Sequence, residues 1–151
     1  MANIKFPEGF YWGGATAAKY LKLFNKNLDV TLIDRNPNFI RHYGSSELIT
    51  GAVTMEDLTV SYDALSDRYG VRVVRDTIVG LDADRRTVIG EKGRYAYDKL
   101  IVSPGIELLY EGIPGYSAEL AATKIPSGWI AGPQTQLLAD QLKAMPQGGT
   151  F

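Results

Sequence analysis

The sequence predicts an α/β domain with a mostly parallel sheet. Short apolar, β-branched runs alternate with stretches of helical period, a glycine-rich turn opens the first helix, and the strand after that helix ends in an acid. The chain has 151 residues, of which 45% are hydrophobic and 22% charged, which fits one globular domain with a sizeable core.

The first element follows from Ala17, Tyr20, Leu21 and Phe24, which recur at helical spacing and predict an amphipathic helix from Gly14 to Asn25. Val30-Thr31-Leu32-Ile33-Asp34 comes directly after an Asn-rich turn and reads as a buried parallel strand. Asn36-Pro37-Asn38 breaks the chain, and Phe39 to Thr50, which has no clear period, is expected to be a loop with a short helical turn. Leu58, Tyr62, Leu65 and Tyr69 predict a second helix from Glu56 to Tyr69, closed by Gly70. Val71 to Val74 is a second strand.

Arg86 to Ile89 and Tyr95 to Tyr97, around the turn Gly90-Glu91-Lys92-Gly93, predict a small antiparallel excursion. Asp82-Ala83-Asp84 reads as a solvated approach to it. Leu100-Ile101-Val102 is expected to be another buried strand, stopped by Ser103-Pro104-Gly105. Seven glycine or proline positions between Ile106 and Pro133 mark a connecting segment, and Leu137, Leu138, Gln141 and Leu142 place a third helix over Gln134 to Met145.

Gly9-Phe10-Tyr11-Trp12-Gly13-Gly14 leads into the first helix, and Asp34 lies 20 residues beyond Gly14. In a G-x-G-x-x-G turn the first glycine makes the sharp bend, the second admits a pyrophosphate to the backbone, and the third lets helix and strand pack closely. An acid about 20 residues on accepts from ribose hydroxyls. Gly9 and Gly14 hold the first and third places, but Tyr11 holds the second. Amides near Gly13 and Gly14 still offer a helix N-terminus to an anion. The order of turn, helix, strand and acid is that of a Rossmann-like dinucleotide-binding domain, with Asp34 and the adjacent Arg35 at its ribose end. A plain strand-to-helix turn and a solvated strand-end acid are the competing readings. The first strand is atypical, because Lys5 and Pro7 suit a strand buried on both faces poorly.

Composition excludes several function classes. Sixteen basic against seventeen acidic residues leave a net charge of -1, so nucleic acid is not an expected partner. Cysteine is absent and histidine occurs once, which removes disulfides, thiolate metal sites, cysteine nucleophiles and three-histidine metal sites from this chain. No apolar run approaches the ~20 residues that span a bilayer. Met1 to Glu8 lacks the basic and apolar regions of a signal peptide, so the chain as written is expected to be cytoplasmic. Glu107 and Glu111 have no fixed separation that would make them a glycosidase pair, and Gly44-Ser45-Ser46 lacks the flanks of a nucleophile elbow.

Gly13-Gly14-Ala15-Thr16-Ala17-Ala18-Lys19-Tyr20-Leu21-Lys22, Val30-Thr31-Leu32-Ile33, Ser46-Glu47-Leu48-Ile49, Tyr97 to Leu108, and Ala131-Gly132-Pro133-Gln134-Thr135 carry a resemblance. Over residues 13–151 the sequence resembles the flavin-binding subunit of flavocytochrome c sulfide dehydrogenase. It is more loosely similar to sulfide:quinone oxidoreductases and other FAD/NAD(P)-binding flavoproteins with two dinucleotide domains. The resemblance implies bound FAD, with its adenosine end at the glycine turn and Asp34, the Ile78 backbone near adenine, and Pro104-Gly105 near flavin and pyrophosphate. It also implies electron transfer from sulfide to a cytochrome c subunit or a quinone, and a periplasmic setting. His42 aligns with the family's cysteine that bonds the flavin 8α-methyl, which implies a place near the dimethylbenzene edge.

Residues 6–18 instead resemble the start of family 1 glycoside hydrolases, and both families share Gly-Gly-Ala-Thr-Ala-Ala. Neither catalytic carboxylate motif of the hydrolases follows, and a barrel needs ~250 residues. The family's two redox cysteines have no counterpart here. The expected organisation is therefore a single, truncated FAD/NAD(P)-binding domain over 1–151, with an atypical N-terminal segment at 1–18 and the connecting segment at 106–133. Three readings stay open: the FAD-binding part of an oxidoreductase, a non-catalytic fragment whose site Tyr11 blocks, and, remotely, a glycoside hydrolase fragment.

Overall fold

The computed structural model describes residues 13–150. They form two compact units, one of residues 13–37 and 61–105, the other of residues 38–60 and 106–150.

The first unit is built on a parallel pair. Helix α1 (Gly14–Phe24) packs on strand β1 (Thr31–Asp34) and on helix α4 (Asp63–Tyr69), and β1 pairs in parallel with β4 (Arg72–Arg75). The register sets Leu32 beside Val73 and Ile33 beside Val74. Ala17 and Ala18 are the buried face of α1, and their small side chains let the helix lie close. Gly70 ends α4 in the left-handed conformation (φ 65°) and donates to the Ser66 carbonyl at 2.9 Å, while Val71 donates back to the Leu65 carbonyl at 3.1 Å.

An antiparallel sheet of β5 (Ile78–Asp82), β6 (Thr87–Gly90) and β7 (Arg94–Ala96) completes this unit. The expected hairpin is its β6–β7 half, and β5 is a strand that sequence patterning missed. The register slips between Ile78 and Gly80, as at a bulge. The Asp82 carboxylate closes the β5–β6 turn by accepting from the Arg85 backbone N–H at 2.9 Å and pairing with its guanidinium at 3.1 Å.

Asp76, just after β4, is 2% exposed. Its carboxylate accepts from the Tyr95 hydroxyl at 2.7 Å and from the Lys92 backbone N–H at 3.1 Å. Lys92 Nζ in turn donates to the Arg75 carbonyl at 2.9 Å. The Tyr95 hydrogen bond, followed by the backbone donors, holds the Asp76 carboxyl below the usual aspartate range, and the same bond pushes the Tyr95 phenol up. Gly90 is required beside it, since a Cβ there would run into the Asp76 carboxylate.

The second unit pairs β2 (Asn38–Ile40) with β3 (Thr59–Ser61) and adds helices α2 (Ser45–Thr50), α3 (Met55–Leu58), α5 (Ala118–Thr123) and α6 (Pro133–Ala144). Leu48, Leu58 and Ala131 form its core, with Ile40, Val53 and Met55 packed against them. Helix α6, expected over Gln134 to Met145, begins one residue earlier, with Pro133 at its first position. The buried Thr135 hydroxyl accepts from the Gly132 N–H at 2.7 Å and so caps it.

Three expectations are corrected. The helix expected over Glu56 to Tyr69 is broken into α3, β3 and α4, because Thr54 and Asp57 form a capping box that starts a helix at Met55, and β-branched Thr59 and Val60 then join a ladder with β2. The Thr54 hydrogen bonds hold the Asp57 carboxyl low. The loop expected over Phe39 to Thr50 contains β2, a 3₁₀ turn at His42–Gly44 and α2. Leu100-Ile101-Val102 is in no ladder among the described residues, and Val102 is 68% exposed; the apolar run suits a buried strand, but no described strand pairs with it. The segment 106–133 carries a 3₁₀ turn (Tyr110–Gly112) and α5.

Asp76→Asn is expected to lower the urea midpoint at neutral pH. Because the folded carboxyl titrates below its unfolded value of about 3.8, its stabilisation is complete above that pH and is lost as pH falls through the folded value, so the gap between wild type and variant should close in acid. Gly44 abuts Leu58 so closely that a Cβ there would overlap its side chain. Gly44→Ala is expected to cost about 1–3 kcal/mol in chemical denaturation.

Candidate functional site

The candidate nucleotide site lies where α1 begins and β1 ends, in the first unit. Gly13 precedes the helix in extended backbone (φ -149°, ψ 152°), and its carbonyl accepts from the Ala17 N–H at 2.9 Å. The first turn of α1 holds no acid and its cap has no side chain, so the positive end of the helix dipole is not neutralised locally. Gly14 lies against the strand: a Cβ there would be 3.2 Å from Leu32 Cδ1. This is the close helix–strand approach for which the third glycine of the turn is required. At Gly13 a Cβ would meet no described atom within 4 Å, which leaves the backbone open for a group to approach. Gly9 and Tyr11 lie outside the described residues.

At the other end of β1, Asp34 is half-buried and its carboxylate is held from both oxygens. Oδ1 accepts from the Asn36 backbone N–H at 2.8 Å, and Oδ2 accepts from the Tyr62 hydroxyl at 2.6 Å. Tyr62 is 6% exposed, and burial, then the hydrogen bond and charge of Asp34, push its phenol far above the ordinary value. It is therefore a proton donor throughout the physiological range. The Asp34 carbonyl also accepts from the Asp76 N–H at 3.3 Å, which continues the β1–β4 ladder one step past the strands.

The remaining expected residues are placed as follows. Arg35 is exposed beside Asp34 and makes no ion pair among the described residues. Ile78 opens β5, 44% exposed, opposite Gly90. Pro104 and Gly105 are exposed in irregular chain, with Gly105 at φ 81°. These residues belong to the first unit together with Gly13, Gly14 and Asp34, whereas His42, exposed at the start of the 3₁₀ turn, belongs to the second.

Two residues of this end were not singled out by sequence. Tyr62 reads as an apolar-face position of a helix, which hides the role of its hydroxyl, and Asp76 follows a strand with no motif around it. The second unit has its own cavity of about 250 Å³ at the start of α6, where the Gln134 side chain donates to the Tyr110 hydroxyl at 2.6 Å and accepts from the Ser127 N–H at 2.9 Å. None of the expected nucleotide-binding residues lines it. Among the described residues no cluster of acids and histidine is arranged to hold a metal ion, and no helix is long and apolar enough to cross a membrane.

Gly14→Val is expected to wedge α1 off Leu32 and cost about 1–3 kcal/mol. Gly13→Ala, with open space, is expected to cost about 1 kcal/mol or less. Thermal denaturation of the two variants checks both.

No family model matches the sequence. Among solved structures, the sulfide:quinone oxidoreductase from the hyperthermophilic bacterium Aquifex aeolicus is 25% identical, with a TM-score of 0.69 over 87% of this chain and 29% of that one. The NADH:rubredoxin oxidoreductase from Clostridium acetobutylicum is 15% identical, with a TM-score of 0.47 over 64% of this chain and 28% of that one. The chain thus spans less than a third of either protein. Its fold is the Rossmann-like α/β fold expected from the sequence, and it is similar to part of an oxidoreductase.

Proposed function

We propose that this chain is the FAD-binding part of an oxidoreductase of the sulfide dehydrogenase type, of the flavocytochrome c kind, which passes electrons from sulfide to a quinone or a cytochrome c. One observation carries the reading. Gly13 and Gly14, the helix, the strand and the acid of the sequence motif belong to one unit with the helix packed on the strand at Gly14, in a chain similar to a sulfide:quinone oxidoreductase.

The residues present fit the adenosine half of such a cofactor. The backbone around Gly13 and Gly14 would take the pyrophosphate, because unneutralised amides at a helix start attract an anion and no Cβ intervenes. Asp34 would accept from the ribose, and the Ile78 backbone would border adenine. Pro104 and Gly105 would lie near the flavin and pyrophosphate, and His42 near the dimethylbenzene edge. When bound, FAD supplies reversible two-electron redox chemistry. The chain's own part is to bind and orient; with no cysteine it brings no dithiol to the donor side. The family resemblance favours a periplasmic setting.

The competing proposal, a nucleotide fold whose site is blocked, rests on Tyr11 at the second glycine place. Purified protein incubated with excess FAD and desalted separates the two. A flavin absorption band that co-elutes with protein is expected, and its absence at saturating FAD overturns the oxidoreductase reading for this chain. Asp34→Asn is expected to weaken FAD binding about 10-fold, the worth of a hydrogen bond to a charged group. Tyr11→Gly should strengthen binding if the tyrosine obstructs the turn.

A further inference from the structure

We infer that Tyr62 is a positioning residue for the ribose acceptor: its hydroxyl and the Asn36 N–H hold the Asp34 carboxylate in one orientation, ready for the vicinal hydroxyls of an adenosine ribose. The inference rests on the nucleotide-binding reading and adds to it a residue outside the glycine motif.

The geometry supports the assignment in three ways. Each carboxylate oxygen accepts two hydrogen bonds, and each has one donor among the described residues, Asn36 N–H at 2.8 Å on Oδ1 and Tyr62 hydroxyl at 2.6 Å on Oδ2. One acceptor position per oxygen is left, which matches two neighbouring hydroxyls. The donors also come from two separate segments of the chain, one from the turn after β1 and the other from the residue before α4, 28 positions on from Asp34. A pincer of this kind locks the carboxylate rotamer, so the entropy of ordering it is lost on folding and not on binding. Finally, Tyr62 is buried where Asp34 is only half-buried, so the donor is shielded from water while the acceptor remains reachable.

A purely structural role predicts a different result from a positioning role, and the ligand can tell them apart. ADP and 2′,3′-dideoxyadenosine diphosphate differ only in the ribose hydroxyls. Their affinities, measured by calorimetry on variants that circular dichroism shows to be folded, should respond differently to Tyr62→Phe. ADP is expected to weaken about 3- to 10-fold, the worth of one ordinary hydrogen bond, and the dideoxy analogue to be unchanged. In an Asp34→Asn background the additional loss should vanish, because Tyr62 acts through Asp34. Asn36→Pro, which removes the second donor from an exposed turn, should lower ADP affinity selectively in the same way and supplies the test if Tyr62→Phe does not fold. Equal effects on both nucleotides, or additive losses in the double variant, overturn the inference and leave the nucleotide site standing. If the unaltered protein binds neither nucleotide, the nucleotide-binding reading fails and the inference falls with it.

Discussion

The Asp76 carboxylate is the constraint on which the first unit depends. A buried carboxylate is tolerable only when its lone pairs are matched, and Asp76 meets that demand with a tyrosine hydroxyl and a backbone amide from a different sheet. The consequence is mechanical. The β6–β7 hairpin cannot shift relative to the end of β4 without stranding a charge, and Gly90 has to be a glycine for the carboxylate to fit. The Asp76 N–H, meanwhile, extends pairing to the Asp34 carbonyl. One residue thereby fixes both the antiparallel sheet and the end of β1 that carries Asp34.

The candidate site inherits that rigidity. Asp34 is anchored through its backbone to Asp76 and through its side chain to Tyr62 and Asn36, so its orientation does not rest on the exposed turn after β1 alone. At the other end, Gly14 brings α1 down onto Leu32, which sets the helix start relative to the strand. Helix and strand packing place the amides at the start of α1, and buried polar contacts place the acid. Sites built this way on regular elements hold their geometry better than sites built on loops alone.

The same features explain what sequence patterning could and could not read. Gly14, α1, β1 and Asp34 were legible because spacing and period within about 20 residues suffice to describe them. The stretch from Leu58 to Tyr69 was not. Its apolar spacing is helical, yet Leu58 enters the core of the second unit and Tyr62 bonds to Asp34 in the first, so two residues one helical turn apart serve different neighbours. Thr59 and Val60 resolve the conflict by pairing with β2. Leu100 to Val102 differed for the converse reason: an apolar β-branched run states a preference for burial, but a strand also needs a partner for its hydrogen bonds, and among the described residues none pairs with it.

By itself the sequence determined the α/β class, the turn–helix–strand–acid order with its approximate boundaries, the β6–β7 hairpin, helix α6, and the absence of any cysteine chemistry from this chain. All of these are set by local period, turn residues and composition. Tertiary structure decided the rest: the break between α3 and α4, the strand β5, the buried Asp76, and the Tyr62 hydroxyl on Asp34. The β3 ladder, the Asp76 contacts and the Tyr62 hydrogen bond each depend on a partner 16 or more positions distant, and β5 on the strand that follows it; hydrogen-bond satisfaction between separate elements leaves no period in the chain that encodes it.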